Sequence, residues 1–193
     1  MKDITKKEME LILTIFKNPK QIYNANSISS KISITSMGAL KIMKRLEKQG
    51  ILISKSMGKA VFYKINFEND YAKDYIFFLL KREAEHTSPY IKRWLNELKK
   101  IKNADIIILF GSVLKKENRA YDIDVLIVTK QKNFNNLKKE IEGLNKLNEK
   151  KLHPIYQTIA DLMDNIKKEN KIILNAINGI IIKGNKNIIK ILK

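Results

Sequence analysis

The sequence predicts an α+β protein in three parts. A helical unit closed by a β-hairpin is expected at 1–67, a pair of connecting helices at 68–103, and a small mixed α/β layer at 104–193. Three observations carry this. Apolar residues recur at helical spacing up to Gly50 and then alternate through "ILISKSMGKAVFYKIN". Between 70 and 103 the chain has helical stripes and no strand pattern. After 104, short apolar runs bounded by glycine or turn residues alternate with amphipathic segments, as when helices cover a sheet.

The elements follow in order. Thr5-Lys6-Lys7-Glu8 has the form of a capping box, with threonine at the N-cap and glutamate three residues later. Met9, Ile12, Leu13 and Phe16 continue at helical spacing, and Asn18-Pro19 ends the helix. A short helix is expected around Ser27–Ile32. The next runs from about Thr35 to Gln49. Ala39, Ile42, Met43 and Leu46 share its apolar arc. Lys41, Lys44, Arg45 and Lys48 fall on the opposite arc, and Met37 lies one turn ahead of Lys41 on that basic side. Gly50 is the helix stop. The alternating segment after it turns at Met57-Gly58, giving two strands and a basic loop with Lys55 and Lys59.

In that order, "SITSMGALKIMKRLEKQGILISKSMGKAVFYKIN" resembles the winged helix-turn-helix domains of prokaryotic transcription regulators. The resemblance covers 1–67. It implies DNA as a partner, with the basic helix in the major groove and its N-terminal residues, Met37 and Lys41 among them, nearest the base edges. Lys44, Arg45 and Lys48 would neutralise phosphates, and Lys55 and Lys59 on the wing would reach a backbone or the minor groove. Winged helices also serve as protein-docking modules, which is the main alternative.

Asn69-Asp70 can cap a helix from Tyr71, carried on by Tyr75, Phe78 and Leu79 and made apolar around much of its girth by Ile76, Phe77 and Leu80. Pro89 opens another helix with the stripe Ile91, Trp94, Leu95 and Leu98. These helices pack either on the chain's own domains or on a second copy. A homodimer is the favoured expectation, because palindromic DNA needs two reading heads. His86 lies in a polar run and is expected at the surface.

Ala104–Phe110 reads as a buried strand that ends at Gly111-Ser112. "VLKKENRAY" is a loop or short helix with Lys115, Lys116 and Arg119. Asp122–Thr129 is a second strand, residues 134–151 a helix, "LHPIYQT" a third strand, 159–177 helical, and "GIIIKG" a last short strand. Asp122 and Asp124, at i and i+2, point to one face of their strand. Nine residues separate Ser112 from Asp122.

"LFGSVLKKENRAYDIDVLIV" resembles the polymerase-beta-type nucleotidyltransferases in their minimal form, and the closing "ILNAINGIIIKG" resembles the end of that domain. The resemblance covers about 104–184. It implies a nucleoside triphosphate as substrate or ligand and Mg²⁺ as cofactor, shared by Asp122 and Asp124 as metal ligands and catalytic residues. Mg²⁺ is a hard cation that takes oxygen ligands. Gly111 would permit close backbone approach, Ser112 would donate to a phosphate, and Lys115 would contact a phosphate. The chain departs from the pattern in three places. Lys116 stands where a glycine is common, and Tyr121 where a small hydroxylated residue precedes the first aspartate. Active members also take a third carboxylate from the next strand, and "LHPIYQT" contains no Asp or Glu. Glu140, Glu142, Asp161 and Asp164 flank it without fitting by spacing, and Asp105 is a further residue to locate. His153, beside Pro154, could serve as a general base, but a lone histidine at a strand start is expected to be structural or exposed.

Composition sets the outer bounds. Among 193 residues, 38 Lys and Arg against 20 Asp and Glu give a net charge of +18, which favours nucleic acid, anionic membrane or nucleotide partners. No cysteine is present, so thiol catalysis and Cys-based zinc sites are excluded, and two histidines make a multi-His site unexpected. No apolar run reaches the roughly 20 residues that span a bilayer. The charged N-terminus has no signal core, so a cytoplasmic protein without membrane partners is expected. Three functions remain open. One is a nucleotidyltransferase moving a nucleoside monophosphate to a hydroxyl acceptor. Another is a transcription regulator whose C-terminal domain is degenerate or only senses nucleotide. The third modifies nucleic-acid ends. The minimal family often acts beside a helical partner in toxin-antitoxin pairs, so such a protein partner is implied by resemblance.

Overall fold

The structure, a computed structural model, describes residues 4–193; the first three residues of the charged N-terminal stretch lie outside them. The chain is α+β and divides into two compact units. One comprises residues up to Leu79 together with Leu192–Lys193, the other Leu80–Ile191. The two helices expected at 68–103 are formed. The first spans the division and the second belongs wholly to the C-terminal unit.

The N-terminal unit contains α1 (Lys6–Lys17), α2 (Ala25–Ile32), α3 (Ser36–Lys48), β1 (Leu52–Met57), β2 (Ala60–Ile65) and the first part of α4 (Asp70–Glu85). Thr5 caps α1 by accepting from the Glu8 amide at 3.2 Å. The expected reciprocal bond of a capping box is not made, because the Glu8 side chain turns inward to Arg45 and Tyr75. The reciprocal box forms instead on α2, between Asn24 and Ser27. Ala39, Met43 and Leu46 of α3 are buried, and Gly50 ends the helix at φ +72°. β1 and β2 pair antiparallel from Leu52↔Ile65 to Met57↔Ala60, and Tyr23 adds an isolated bridge to Tyr63. The turn falls on Gly58-Lys59, one residue later than expected, with Gly58 at φ +58° supplying the positive φ that two-residue hairpins favour. Three helices, a hairpin wing and an extra bridge at its root form a winged helix-turn-helix.

The C-terminal unit contains the end of α4, α5 (Pro89–Lys99), β3 (Ile106–Phe110), α6 (Val113–Lys116), a 3₁₀ turn at Glu117–Arg119, β4 (Ile123–Val128), α7 (Phe134–Leu147), β5 (Leu152–Gln157), α8 (Ile159–Lys167), α9 (Lys171–Ile177), β6 (Ile180–Lys183) and α10 (Asn185–Ile191). The strands lie in the order β5-β4-β3-β6. β3 runs antiparallel to both neighbours, and β4 pairs parallel with β5 through the crossover helix α7. Helices contact both faces, which is why "IIILF" is buried at every position instead of alternating.

The stripe Ile91, Trp94, Leu95 and Leu98 joins Ile107, Leu109, Val125 and Ile127 in one core, so α5 spends its apolar face inside its own unit. That stripe, one of the surfaces considered for a homodimer, is therefore occupied within the unit. On α4, Tyr71 and Phe78 remain exposed. No helix among the described residues is long and apolar enough to cross a membrane.

Candidate functional site

The site is built where β3 ends, β4 begins and β5 begins. Antiparallel pairing sets Phe110 of β3 opposite Asp124 of β4. The next residue, Gly111, sits at φ +80° and turns the chain into α6. That conformation favours glycine, and space demands it as well. A Cβ on Gly111 would lie 1.9 Å from Asp124 Oδ2. The turn at Gly111 thus lies directly against Asp124. Asp122 stands one residue ahead of β4, separated from Asp124 by the fully buried Ile123. Burial of Ile123 holds both carboxylates at the same open edge, where their side chains are 39% and 23% exposed.

His153 joins the cluster from an exposed position, as the sequence led one to expect, with 70% of its side chain open to solvent. Parallel pairing runs Ile123↔Leu152 and then Asp124↔His153, which places the imidazole beside the aspartates. Its Nδ1 is 3.2 Å from Asp124 Oδ1 and 4.0 Å from Asp122 Oδ2. One ligand atom from each of Asp122, Asp124 and His153 lies within 4.8 Å of the others. Isoleucine and leucine begin the two parallel strands, so the residues that follow them, Asp124 and His153, fall side by side.

The acidic residues weighed as third ligands are elsewhere. Asp105 precedes β3 at the opposite end of that strand from Phe110, and its amide donates to Val128 O. Glu140 accepts from the Lys102 and Asn103 amides and from Asn103 Nδ2. Asp161 caps α8 through Thr158, whose backbone and hydroxyl bonds hold its carboxyl below the usual range, and Asp164 pairs with Lys168. Among the described residues, no third carboxylate joins the pair in that cluster.

Ser112 is half-buried at the start of α6, and Lys115, Lys116 and Arg119 are exposed on α6 and the turn after it. Lys150 was not singled out from the sequence. Its Nζ donates to the Asn118 and Ala120 carbonyls, tying down the segment that leads into Asp122. Tyr121, where the pattern has a small hydroxylated residue, is 95% exposed and leaves the mouth of the site open.

In the N-terminal unit, Met37 (62% exposed), Lys41, Lys44 and Lys48 project from α3, and Lys55 and Lys59 from the wing. Arg45 departs from this group. Its guanidinium donates to Glu8 Oε2, and Tyr75 Oη donates to Glu8 Oε1 at 3.0 Å. Glu8 is only 5% exposed, so Arg45 serves a buried carboxylate first.

Residues 91–177 match the family model described as polymerase beta, nucleotidyltransferase, and they contain the whole cluster. No curated protein matches the chain. Solved structures similar to the chain include the homodimeric winged helix-turn-helix domain of Mb0332 from Mycobacterium bovis, a possible ArsR-family transcriptional regulator. It is 11% identical with a TM-score of 0.35, over 44% of this chain and 73% of that one. Lactococcus lactis ZitR, described as a zinc-responsive MarR family member, is 11% identical with a TM-score of 0.30, over 51% and 76%. A ZitR mutant in complex with DNA is 13% identical with a TM-score of 0.30, over 51% and 75%. At these scores the winged-helix assignment rests on the element order and pairing described above.

Proposed function

We propose that the C-terminal unit transfers a nucleoside monophosphate from a nucleoside triphosphate to a hydroxyl acceptor, and that the N-terminal unit binds DNA. The observation that carries the transferase is the convergence of Asp122 and Asp124 against the Gly111-Ser112 turn, inside the segment matched to nucleotidyltransferases. The donor set suits a divalent cation, since carboxylate oxygens and an imidazole converge through closely spaced atoms. Asp122 and Asp124 would hold Mg²⁺, which when bound neutralises the triphosphate and aligns the hydroxyl for in-line displacement.

The chain's own residues supply the rest. Gly111, lacking a Cβ, leaves Asp124 its place and lets phosphate oxygens approach the backbone. Ser112 donates its hydroxyl to a phosphate. Lys115 adds a positive charge at the rim that would attract the triphosphate. In the reaction the acceptor oxygen bonds to the α-phosphorus, the bond to the β-phosphate bridging oxygen breaks, and pyrophosphate leaves. The acceptor proton passes to solvent through the open mouth beside Tyr121. Met37, Lys41, Lys44 and Lys48 on α3, with Lys55 and Lys59 on the wing, form the DNA-facing set, and Arg45 acts chiefly through Glu8.

A second interpretation has its own support. The described residues provide no third carboxylate, which suits a regulator that binds nucleotide without transferring it. Cation-dependent incorporation of labelled nucleotide separates the two. Transfer abolished by Asp122→Asn with Asp124→Asn identifies the enzyme. Saturable nucleotide binding with no transfer to DNA, protein or small hydroxyl acceptors identifies the sensor.

A further inference from the structure

We propose that His153 is the third metal ligand of the cluster, and that it tunes the site toward Mn²⁺ over Mg²⁺. The inference rests on the proposed metal-dependent function of Asp122 and Asp124. It begins from register, because β5 runs parallel to β4 and sets His153 directly beside Asp124. A side chain in that position shares the sheet face of the Asp124 carboxylate, and although it is 70% exposed its ring is turned toward the pair. The nitrogen turned toward them is Nδ1, at 3.2 Å and 4.0 Å from the nearer oxygen of each. The three ligand atoms lie within 4.8 Å of one another, little more than two metal–ligand bonds of about 2.1 Å end to end. A cation placed among them needs only a small closing movement of side chains that are all partly open to solvent.

The chemistry of the third donor decides the preference. Mg²⁺ takes oxygen ligands in strict octahedral geometry and retains its waters, so an imidazole contributes little to its affinity. Mn²⁺ stands lowest among first-row divalent ions for nitrogen donors, yet as a transition ion it takes an imidazole more readily than Mg²⁺ does, and it shares the affinity of Mg²⁺ for carboxylate and phosphate oxygen. With two oxygen donors and one nitrogen donor from the protein, the site favours Mn²⁺. The absent third carboxylate is then a substitution of donor type rather than the loss of a ligand.

The chain offers a clean test because it has two histidines, His86 and His153. Mn²⁺ is added to the full chain without nucleotide, and pulsed electron paramagnetic resonance reads whether an imidazole nitrogen is bonded to the bound ion. The coupling is expected in the native protein and in His86→Ala, and is expected to vanish in His153→Ala. His153→Asp is expected to bind Mn²⁺ without the nitrogen signal and to lower the Mn²⁺-to-Mg²⁺ affinity ratio by about tenfold or more. Mn²⁺ bound in a manner lost on Asp122→Asn with Asp124→Asn, yet showing no nitrogen coupling, overturns His153 as a ligand and leaves the proposed function standing. Mn²⁺ binding that ignores both aspartates overturns the metal site itself.

Discussion

Gly111 and Asp124 compete for one small volume, and the site exists because glycine yields it. Gly111→Ala meets two obstacles, a positive φ that costs a residue with a Cβ about 1–2 kcal/mol and a Cβ 1.9 Å from Asp124 Oδ2. The variant is expected to lose about that much stability by denaturant unfolding and to weaken cation binding at least tenfold in titration calorimetry, because Asp124 must swing away. A Gly111→Ala protein with native cation affinity would mean that Asp124 is not a ligand. Tyr75 gives a prediction of another kind. Burial, and then the charge of Glu8, push its phenol well above the ordinary tyrosine range. Burial and Glu47 push Tyr63 upward as well. The folded state therefore keeps these protons more tightly than the unfolded chain does. Their contribution is complete below the ordinary value near pH 10 and declines as pH rises beyond it. Thermal melts from pH 8 to 11 should show the N-terminal unit weakening above pH 10, with a shallower decline in Tyr75→Phe.

At the scale of elements, the basic residues of α3 differ in what they touch: Arg45 pairs with Glu8, while Lys44 and Lys48 are exposed. Arg45→Ala leaves the buried Glu8 without its cation and is expected to cost about 1–3 kcal/mol in unfolding free energy, tempered by the partial exposure of the arginine. Lys44→Ala and Lys48→Ala should leave stability nearly unchanged. Each should reduce the slope of log affinity for DNA against log salt by about 0.9. Equal salt slopes in Lys44→Ala, Lys48→Ala and the native protein would remove α3 from the phosphate-contacting surface. The division could not be read from a helical wheel, which places Arg45 on the basic arc and cannot show that Glu8, thirty-seven residues earlier, approaches that arc. Thr5 and Glu8 matched a capping box so well that a tertiary role for Glu8 had no local sign. The strands and most helices were legible, because alternation and 3.6-residue periodicity are local. The stripe on α5 was legible too, but amphipathicity names a face and not its partner. α10 went unread because "NKNIIKI" is too short for periodicity to register. His153 was visible in the sequence as a lone base at a strand start, but its place beside Asp124 was not, because that depends on the register of β5 against β4.

For the whole molecule, a chain of charge +18 joins a winged helix to a unit whose residues up to 177 include the segment similar to nucleotidyltransferases. A charge of that sign favours polyanionic partners in general, and in the proposed function the two sites would divide them. DNA would engage the basic helix and wing, and a triphosphate the turn at Gly111-Ser112. If the sites act as proposed, Asp122→Asn with Asp124→Asn leaves salt-dependent DNA binding intact while removing transfer chemistry. The most direct measurement is transfer of α-³²P-labelled nucleotide by the full chain with Mg²⁺ or Mn²⁺, with DNA present as one candidate acceptor and the double-asparagine variant as control. The expected result is label bonded covalently to an acceptor with release of pyrophosphate, and its loss by a factor of about 10² or more in the variant. Incorporation that persists undiminished in a folded Asp122→Asn, Asp124→Asn protein would contradict the assignment of the reaction to this site.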